Sequence, residues 1–341
     1  MKTILAVMMA YLPVISLAQS TEITCWTTKG KSMKLTIEDT ILQIPDSVAA
    51  IDLCGVETIS LDRSSANPNC LYYTDGATTV EGLPNANVVC EGVCEGLLLT
   101  DEASFYCPMA FFATDAMLRY TPRRDDGEEA DFNQHCHETV LLPFETDFVI
   151  SEDVNGPMPD GWLKLAQFYY YNGKLIFSQT NIECMHANTP YLVKFEYAAY
   201  GTHILFCGQD KTIKETKPVL GNQKPYSFVG ITMSEDEKPG YFRYHRGQKQ
   251  YFIHTDDGKP MEPFRCFIIS TKEEDITDQD HPSEESGKIL EYLVYDFEPD
   301  GIDTRSRQRS SKVDYDLQGR PLPNGNRNKG IYITGGIKVI K

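Results

Sequence analysis

The sequence predicts a mainly β protein: two antiparallel, sandwich-like modules followed by a tether and a small C-terminal β tail. Short apolar or aromatic runs recur every 8 to 20 residues through the middle of the chain, separated by Asn-Gly, Asp-Asp-Gly and Arg-Gly turns, a pattern typical of a sandwich or barrel. The 19 Tyr and 16 Phe residues, against two Trp, suit half-buried pleated surfaces. No run between these strands has the length and period of a crossover helix.

Residues 1–18 have the features of a secretory signal peptide. Lys2 precedes an apolar stretch from Ile4 to Leu17, and the expected cut lies between Ala18 and Gln19. About 14 apolar residues are fewer than the roughly 20 that a membrane-spanning helix needs. We therefore expect an exported chain without a transmembrane span, located at the cell surface or outside the cell after transit through the periplasm.

Residues 19–145 are expected to form an N-terminal β module. Asn67-Pro68-Asn69 predicts a turn, and the segment from Asp39 to Val48 is compatible with either a short helix or a loop. Alternating or apolar runs predict the strands. These strands are Met33–Ile37, Ile51–Leu53, Val56–Leu61, Cys70–Tyr73, Leu97–Leu99 and Ser104–Tyr106.

Residues 146–271 are expected to form a middle β-sandwich module, which meets the first near Phe144–Gly161. Trp162–Tyr170 is compatible with a helix that has its apolar side chains on one face. Residues 272–312 are expected to form an acidic linker with one strand, Ile289–Phe297, and a polar tether. The strands predicted in the middle module are Leu175–Phe177, Tyr191–Phe195, Ile204–Phe206, Tyr226–Val229, Tyr241–Tyr244, Tyr251–Ile253 and Cys266–Ile269.

Residues 313–341 predict a short β-meander. A first strand ends at Gly319, and Ile331–Ile333 and Ile337–Ile340 are joined by Gly335-Gly336, a pair that suits a two-residue hairpin turn. This pattern resembles the C-terminal sorting domain of Bacteroidetes surface proteins exported by the type IX secretion system, which implies the secretion machinery as a partner. The alternative is that these strands complete the sheet of the preceding module. The resemblance rests on Tyr315, Asp316, Leu317, Gly319, Arg320, Gly330, Ile331, Tyr332, Ile333, Gly336, Lys338 and Val339.

Four motifs in the middle of the chain resemble, in the same order, the non-repeat region of BspA-like leucine-rich-repeat surface proteins. They are Glu138–Phe144, Ala187–Phe195, Tyr226–Gly230 and Pro263–Ser270. The resemblance implies an exported surface protein and attaches no chemistry to these motifs. Only one turn of the relatives' repeat is recognisable, Ala50–Leu61. Because a solenoid needs about three repeats to bury its core, a repeat protein is not expected.

Charge and motifs exclude several functions. The formal net charge of −17 disfavours sequence-independent nucleic-acid binding. Neither Gly-x-Ser-x-Gly nor His-Glu-x-x-His occurs, so no catalytic residue and no cofactor is assigned. The sequence favours a non-enzymatic interaction protein whose partners are host or matrix glycans or proteins. Two alternatives are a glycan-binding module that uses Tyr169–Tyr171 or Tyr241–Tyr244, and an unrecognised secreted hydrolase.

Metal binding is not expected, although weak candidates exist. His135 and His137 alternate in a predicted strand and share a face, with Cys90 or Cys94 as further ligands, but this is a single ligand pair without the repeated spacing of zinc sites. Two Gly turns, Ser151–Gly156 and Asp256–Gly258, carry oxygen ligands without EF-hand spacing.

The chain has ten Cys residues, so disulfides are possible after export. Cys90 and Cys94 form the first pair to test, and they require a turn at Gly92 because an extended strand would hold them too far apart. Cys107, Cys207 and Cys266 lie in apolar strands, where a buried free thiol is the alternative.

Overall fold

The structure is a computed structural model that describes residues 22–37, 40–56, 58–77, 79–123, 136–151, 163–180, 184–195, 203–218, 224–246, 251–254, 259–276, 288–295, 331–334 and 337–340. Strands account for 55% of these residues and helix for 1%, which confirms the mainly β class. Contacts divide the chain into two units, Met1–Val294 and Tyr295–Lys341. Within the described ranges, no helix has the length and apolar character needed to cross a membrane.

The strands and the helix found among the described residues are as follows. They are β1 (Glu22–Thr27), β2 (Ser32–Thr36), β3 (Ile41–Gln43), β4 (Val48–Asp52), β5 (Thr58–Asp62), β6 (Leu71–Thr74), β7 (Thr79–Glu81), β8 (Val88–Cys90), β9 (Val93–Thr100), β10 (Phe111–Tyr120), β11 (Cys136–Val140), β12 (Phe148–Ser151), β13 (Leu163–Tyr171), β14 (Lys174–Gln179), β15 (Tyr191–Phe195), β16 (Ile204–Ile213), β17 (Tyr226–Gly230), β18 (Tyr241–His245), β19 (Tyr251–His254), β20 (Cys266–Ser270), α1 (Glu273–Ile276), β21 (Lys288–Leu290), β22 (Tyr292–Tyr295), β23 (Ile331–Thr334) and β24 (Ile337–Ile340).

A nine-stranded sheet runs in the order β12-β16-β10-β9-β8-β6-β4-β1-β2. Its longest pairing joins β10 to β16, from Phe111 beside Ile213 to Tyr120 beside Ile204. The strands of this sheet therefore come from both sides of the boundary that was expected near Phe144–Gly161. The expected separation into modules 19–145 and 146–271 does not hold, because the ladder between β10 and β16 unites them in one sheet.

Residues 41–90 form a short β-solenoid. The chain alternates between a three-stranded parallel sheet, β3-β5-β7, and the parallel strands β4, β6 and β8 of the nine-stranded sheet. Leu42, Ile51, Leu61 and Tyr72 are buried between the two rows of strands. The expectation that no repeat architecture is present was therefore wrong for this segment, and the segment from Asp39 to Val48 contributes β3 rather than a helix.

Two five-stranded sheets complete the first unit. The middle sheet has the order β11-β15-β13-β14-β22, and the third sheet has the order β17-β20-β18-β19-β21. One face of the middle sheet packs on the nine-stranded sheet, where Val193 and Phe195 share a core with Leu118. Its other face packs on the third sheet, where Phe177 shares a second core with Phe252. The central part of the middle sheet is therefore buried on both faces.

Burial on both faces explains why β13 was mistaken for a possible helix. Leu163 and Leu165 face the first core, whereas Ala166 and Phe168 face the second. Apolar residues are therefore adjacent in sequence, as in fully buried strands, and the simple alternation of a half-buried strand is lost. The helix predicted at Trp162–Tyr170 is wrong, since Leu163–Tyr171 is a strand.

The other strand predictions have mixed outcomes. All seven strands predicted between Leu175 and Ile269 are confirmed. Ser104–Tyr106 is not a strand, and Phe105 instead donates a single backbone hydrogen bond to the carbonyl of Thr232. The strand predicted at Ile289–Phe297 is two strands in different sheets, since β21 pairs with β19 while β22 lies beside β14.

In the second unit, β23 and β24 pair antiparallel, with Ile331 beside Ile340 and Thr334 beside Ile337. This pairing confirms the predicted C-terminal hairpin. The remaining residues of the sorting motif and the signal cut at Ala18 lie outside the described residues.

Nine of the ten cysteines, those whose side chains the structure describes, are thiols. Glu91 and Gly92 make the required turn, with φ of 49° and 82°, but Cys90 is exposed whereas Cys94 is fully buried. Their side chains therefore lie in different environments, and the proposed Cys90–Cys94 disulfide is not formed. Cys107, Cys207 and Cys266 are buried thiols, and burial raises the pKa of Cys107 to about 12.

Candidate functional site

Arg265 lies where three sheets meet, and its charge is neutralised inside the protein. It directly precedes β20 of the third sheet, while Asp101 follows β9 and Glu138 lies in β11. Its Nη2 donates to Oδ2 of Asp101 at 2.7 Å and to the carbonyl of Thr121 at 2.9 Å, and its Nη1 donates to Oε2 of Glu138 at 3.1 Å. The side chains of Arg265, Asp101 and Glu138 are 8%, 1% and 0% exposed. Each sheet therefore contributes one charge to a buried ionic centre.

Further contacts hold this ionic centre in place. The guanidinium carbon of Arg265 lies 3.9 Å from the centre of the Tyr120 ring, whose hydroxyl donates to Oε2 of Glu138 at 3.2 Å. The backbone N–H of Arg123 donates to Oε1 of Glu138 at 2.9 Å. Burial lowers the pKa of Arg265 to about 10, so the guanidinium stays charged at neutral pH, and burial raises the pKa of Asp101. Since donors occupy both oxygens of Glu138, this carboxylate serves as an internal acceptor.

A cleft of about 290 Å³ opens beside the ionic centre. This volume is close to the lower limit of small-molecule sites, which span roughly 300 to 1,000 Å³. Its lining comes from β11, β18, β19 and the segment 259–267. The charged, hydroxyl-bearing and aromatic residues of the lining are Glu138, Thr139, Arg243, Tyr244, His245, Arg246, Tyr251, Lys259, Glu262, Arg265 and Phe267.

Cations exceed carboxylates in this cleft, although the whole chain is strongly acidic. Four Arg or Lys side chains face two Glu side chains, and Asp101 behind Arg265 offsets one further positive charge. Arg246 lies 3.1 Å from Glu262 and 3.9 Å from Glu138. Among the described lining residues, cations therefore outnumber carboxylates, which favours an acidic ligand over a cationic one.

An aromatic pair forms part of the same cleft. The rings of His245 and Tyr251 stack with centroids 4.6 Å apart and planes inclined by 18°, and both side chains are partly exposed. Together with Arg243 and Lys259, they give the cleft apolar faces beside cationic donors. That combination suits a flat or ring-shaped ligand that carries a carboxylate.

The two aromatic runs predicted for glycan binding differ in exposure. Tyr169 and Tyr171 are 51% and 66% exposed on one face of β13, whereas the intervening Tyr170 packs on Tyr226. In the second run, Phe242 and Tyr244 are buried. Only the first run therefore presents an exposed aromatic surface, while the second contributes Arg243 and Tyr244 to the cleft.

The predicted metal residues fall only partly within the described ranges. His135 lies outside the described residues, as do most of the two calcium-like turns. His137 lies in β11 opposite Lys194, and within the described ranges it belongs to no group of three metal-ligand side chains. The structure instead groups Glu145, Cys184 and His186, whose ligand atoms all lie within 4.8 Å of one another.

A scan against protein-family models, a search of curated proteins and a search of solved structures found no match. The resemblance to exported Bacteroidetes surface proteins therefore stays a prediction from the sequence motifs. In the structure, the four motifs of the middle region supply β11, β15, β17 and β20. The motif at Pro263–Ser270 also supplies Arg265 at the centre of the ionic network.

Sequence reasoning missed the ionic centre and the Glu145–Cys184–His186 group. Arg265 is 127 residues from Glu138 and 164 residues from Asp101, so no local spacing connects them. The one available signal was a charged residue inside the apolar run Pro263–Ser270, because a buried Arg requires acidic partners elsewhere in the chain.

Proposed function

We propose that this chain is an exported, non-enzymatic interaction protein that binds an acidic glycan. The observation that carries the proposal is the cleft beside Arg265, whose described lining includes Arg243, Lys259 and the stacked His245–Tyr251 pair. Arg and Lys donors recognise a sugar carboxylate through charge-assisted hydrogen bonds. The aromatic faces offer contact to the less polar face of a sugar ring.

The carboxylates of the cleft support binding rather than hydrolysis. Glycoside hydrolysis needs one carboxyl group that donates a proton and a second that acts as base or nucleophile. Glu138 is fully buried and accepts from three donors. Glu262 is 3.1 Å from Arg246 and 3.6 Å from Arg123. These two carboxylates therefore neutralise neighbouring guanidinium groups. Turnover of a peptide or glycoside library by the folded protein would contradict the non-enzymatic assignment.

Titration calorimetry with uronate-containing or sialylated oligosaccharides tests the cleft. Arg243→Ala and Lys259→Ala are each expected to weaken binding at least about tenfold, because hydrogen bonds to charged groups contribute roughly 1.5–3 kcal/mol. Lys31→Ala removes an exposed cation of the first hairpin and should leave the affinity unchanged. Neutral oligosaccharides of the same length should bind at least tenfold more weakly than the acidic ones.

Tyr169 and Tyr171, at the exposed end of β13, provide the second candidate surface, and the same titration separates the two. A Tyr169→Ala/Tyr171→Ala variant should bind acidic glycans like the unchanged protein if the cleft is the site. Loss of binding in this variant, with normal binding by Arg243→Ala, would move the glycan site to Tyr169 and Tyr171. In that case neutral glycans would be the expected ligands.

We also propose that the C-terminal tail directs export. The proposal rests on the resemblance of residues 313–341 to a type IX sorting motif. It is supported by the residue contacts, which separate Tyr295–Lys341 from the rest of the chain as a second compact unit. A chain that lacks residues 314–341 should stay folded in the native host but accumulate in the periplasm, as measured by fractionation and limited proteolysis. The full-length Lys31→Ala variant is the control for normal export.

Two results would contradict the sorting role. A truncated chain that still reaches the surface or medium would show that the tail is not needed for export. A truncated chain that unfolds and is degraded would favour the alternative, in which the tail strands complete the preceding module.

A further inference from the structure

Glu145, Cys184 and His186 meet where two connecting segments run side by side. Glu145 lies between β11 and β12, and the other two residues lie just before β15. The N–H of Thr146 donates to the carbonyl of Met185 at 3.0 Å, and the N–H of Met185 donates to Oγ1 of Thr146 at 2.8 Å. The two backbones are therefore linked directly beside all three side chains.

Buried neighbours fix this position. Met185 and Thr146 are 0% and 2% exposed, so the residue between Cys184 and His186 is anchored in the core. Cys184 and His186 are half-exposed or exposed, as expected when alternate residues of an extended segment point away from the core. The N–H of Asn188 donates to the carbonyl of Leu142 at 2.7 Å, which continues the pairing of the two segments.

A third segment packs against the backbone of Glu145. The N–H of Asp147 donates to the carbonyl of Cys207 at 2.8 Å. A Cβ atom on Gly208 would lie 2.6 Å from the carbonyl oxygen of Glu145, so only glycine permits this approach. The backbones that carry the three side chains are thus held on several sides, and the side chains themselves keep access to solvent.

The side chains lie close to the separations that one metal ion requires. Nδ1 of His186 is 2.9 Å from Oε2 of Glu145, and the three ligand atoms lie within 4.8 Å of one another. Ligand atoms around a tetrahedral zinc ion are separated by roughly 3.3–3.8 Å, given bonds of about 2.0–2.3 Å. The side chains of His186 and Glu145 are 50% and 46% exposed, which leaves room for the rotamer changes that these separations require.

We propose that Glu145, Cys184 and His186 bind one divalent transition-metal ion of the zinc type, with water at a fourth position. A thiolate with an imidazole selects zinc-like ions over calcium or magnesium, which prefer oxygen ligands alone. The ion would join the segment after β11 to the segment before β15 and is independent of the glycan cleft. The spacing of ligand residues in the sequence does not reveal this site, because Glu145 is distant in sequence from the Cys-Met-His segment.

Cobalt(II) is the probe for this site, because a thiolate ligand gives a charge-transfer band and tetrahedral geometry gives intense visible bands. The titration uses the reduced full-length mature chain with the exposed thiols removed by Cys54→Ser and Cys90→Ser. We expect one equivalent of cobalt to bind and zinc to displace it. Cys184→Ser should abolish the charge-transfer band, and His186→Ala and Glu145→Gln should each weaken cobalt binding at least about tenfold.

Control measurements test whether cobalt binding depends on these three residues. Glu95→Gln changes an exposed carboxylate of β9 and should bind cobalt like the parent. Circular dichroism of each variant should show an unchanged fold, and zinc should raise the melting temperature of the parent but not of Cys184→Ser. A cobalt spectrum without thiolate character, or one unchanged by Cys184→Ser, would overturn the proposal. Hydrolysis that depends on Cys184 and proceeds in the presence of a chelator would also overturn it, in favour of a Cys-His-Glu nucleophile.

Discussion

Arg265→Met is expected to lower the free energy of unfolding by about 3–5 kcal/mol, as is typical when one partner of a buried ion pair is removed. The substitution keeps an apolar side chain of similar length but leaves the Asp101 and Glu138 carboxylates inside the protein without their common cation. Urea denaturation followed by circular dichroism measures this loss. Arg63→Met, which removes an exposed side chain bonded to the carbonyl of Gly82, should cost less than about 1 kcal/mol.

A second substitution tests whether the lower free energy of unfolding comes from the buried carboxylates that Arg265 no longer neutralises. Asp101→Asn in the Arg265→Met background should recover part of the stability, because the neutral amide removes one uncompensated buried charge. The two changes should therefore be non-additive. A loss of under 1 kcal/mol in Arg265→Met, or strict additivity of the two substitutions, would mean that the ionic centre contributes little to holding the three sheets together.

Individual strands could be predicted because each carries its own signal. Tyr191–Phe195 and Cys266–Ile269 are short runs of β-branched, aromatic or apolar residues bounded by turn residues, and both are strands. This local signal fails where a strand is covered on both faces. In β13, Leu165 faces the first core and Ala166 faces the second, so adjacent apolar residues imitate a helical face.

The way in which the strands assemble could not be predicted. In the solenoid, Ile41 lies beside Ser60 whereas Tyr72 lies beside Val88, so the residue spacing varies from turn to turn and no fixed period is visible. The pairing of β10 with β16 joins residues from the two expected modules. Non-local ladders of this kind depend on the whole chain, and a boundary inferred from local composition does not detect them.

The candidate site depends even more strongly on assembly. The cleft takes its lining from β11, β18, β19 and the segment 259–267, which local patterns identify only as separate strands and turns. The ring of His245 stacks on that of Tyr251 because β18 and β19 are antiparallel neighbours. The aromatic runs can be recognised in the sequence. Which of them can contact a ligand depends on solvent exposure, and that exposure is set by which sheet faces the other sheets cover.

Phe177→Ala is expected to lower the free energy of unfolding by about 3–5 kcal/mol, the usual range for removing a buried phenylalanine ring. Phe177 in β14 is fully buried in the core between the middle and third sheets. Its ring stacks on Phe252 at 5.9 Å and meets Phe228 and Tyr292 edge-on at 5.0 and 5.3 Å. In the unchanged protein, residues of both sheets contact this one ring, so the substitution leaves a cavity between the two sheets.

The position of Tyr292 gives this prediction a second readout. Tyr292 begins β22 at the edge of the middle sheet, and β21 just before it lies at the edge of the third sheet. Loss of the Phe177 ring should therefore increase amide hydrogen exchange in β21 and β22 before it does so in the solenoid, which has a core of its own. Tyr171→Ala at the other end of the same hairpin removes a mostly exposed ring and should change stability by less than about 0.5 kcal/mol. Equal destabilisation by the two substitutions would mean that the two sheets are held together by the wider interface, and that the aromatic cluster around Phe177 has no special part in it.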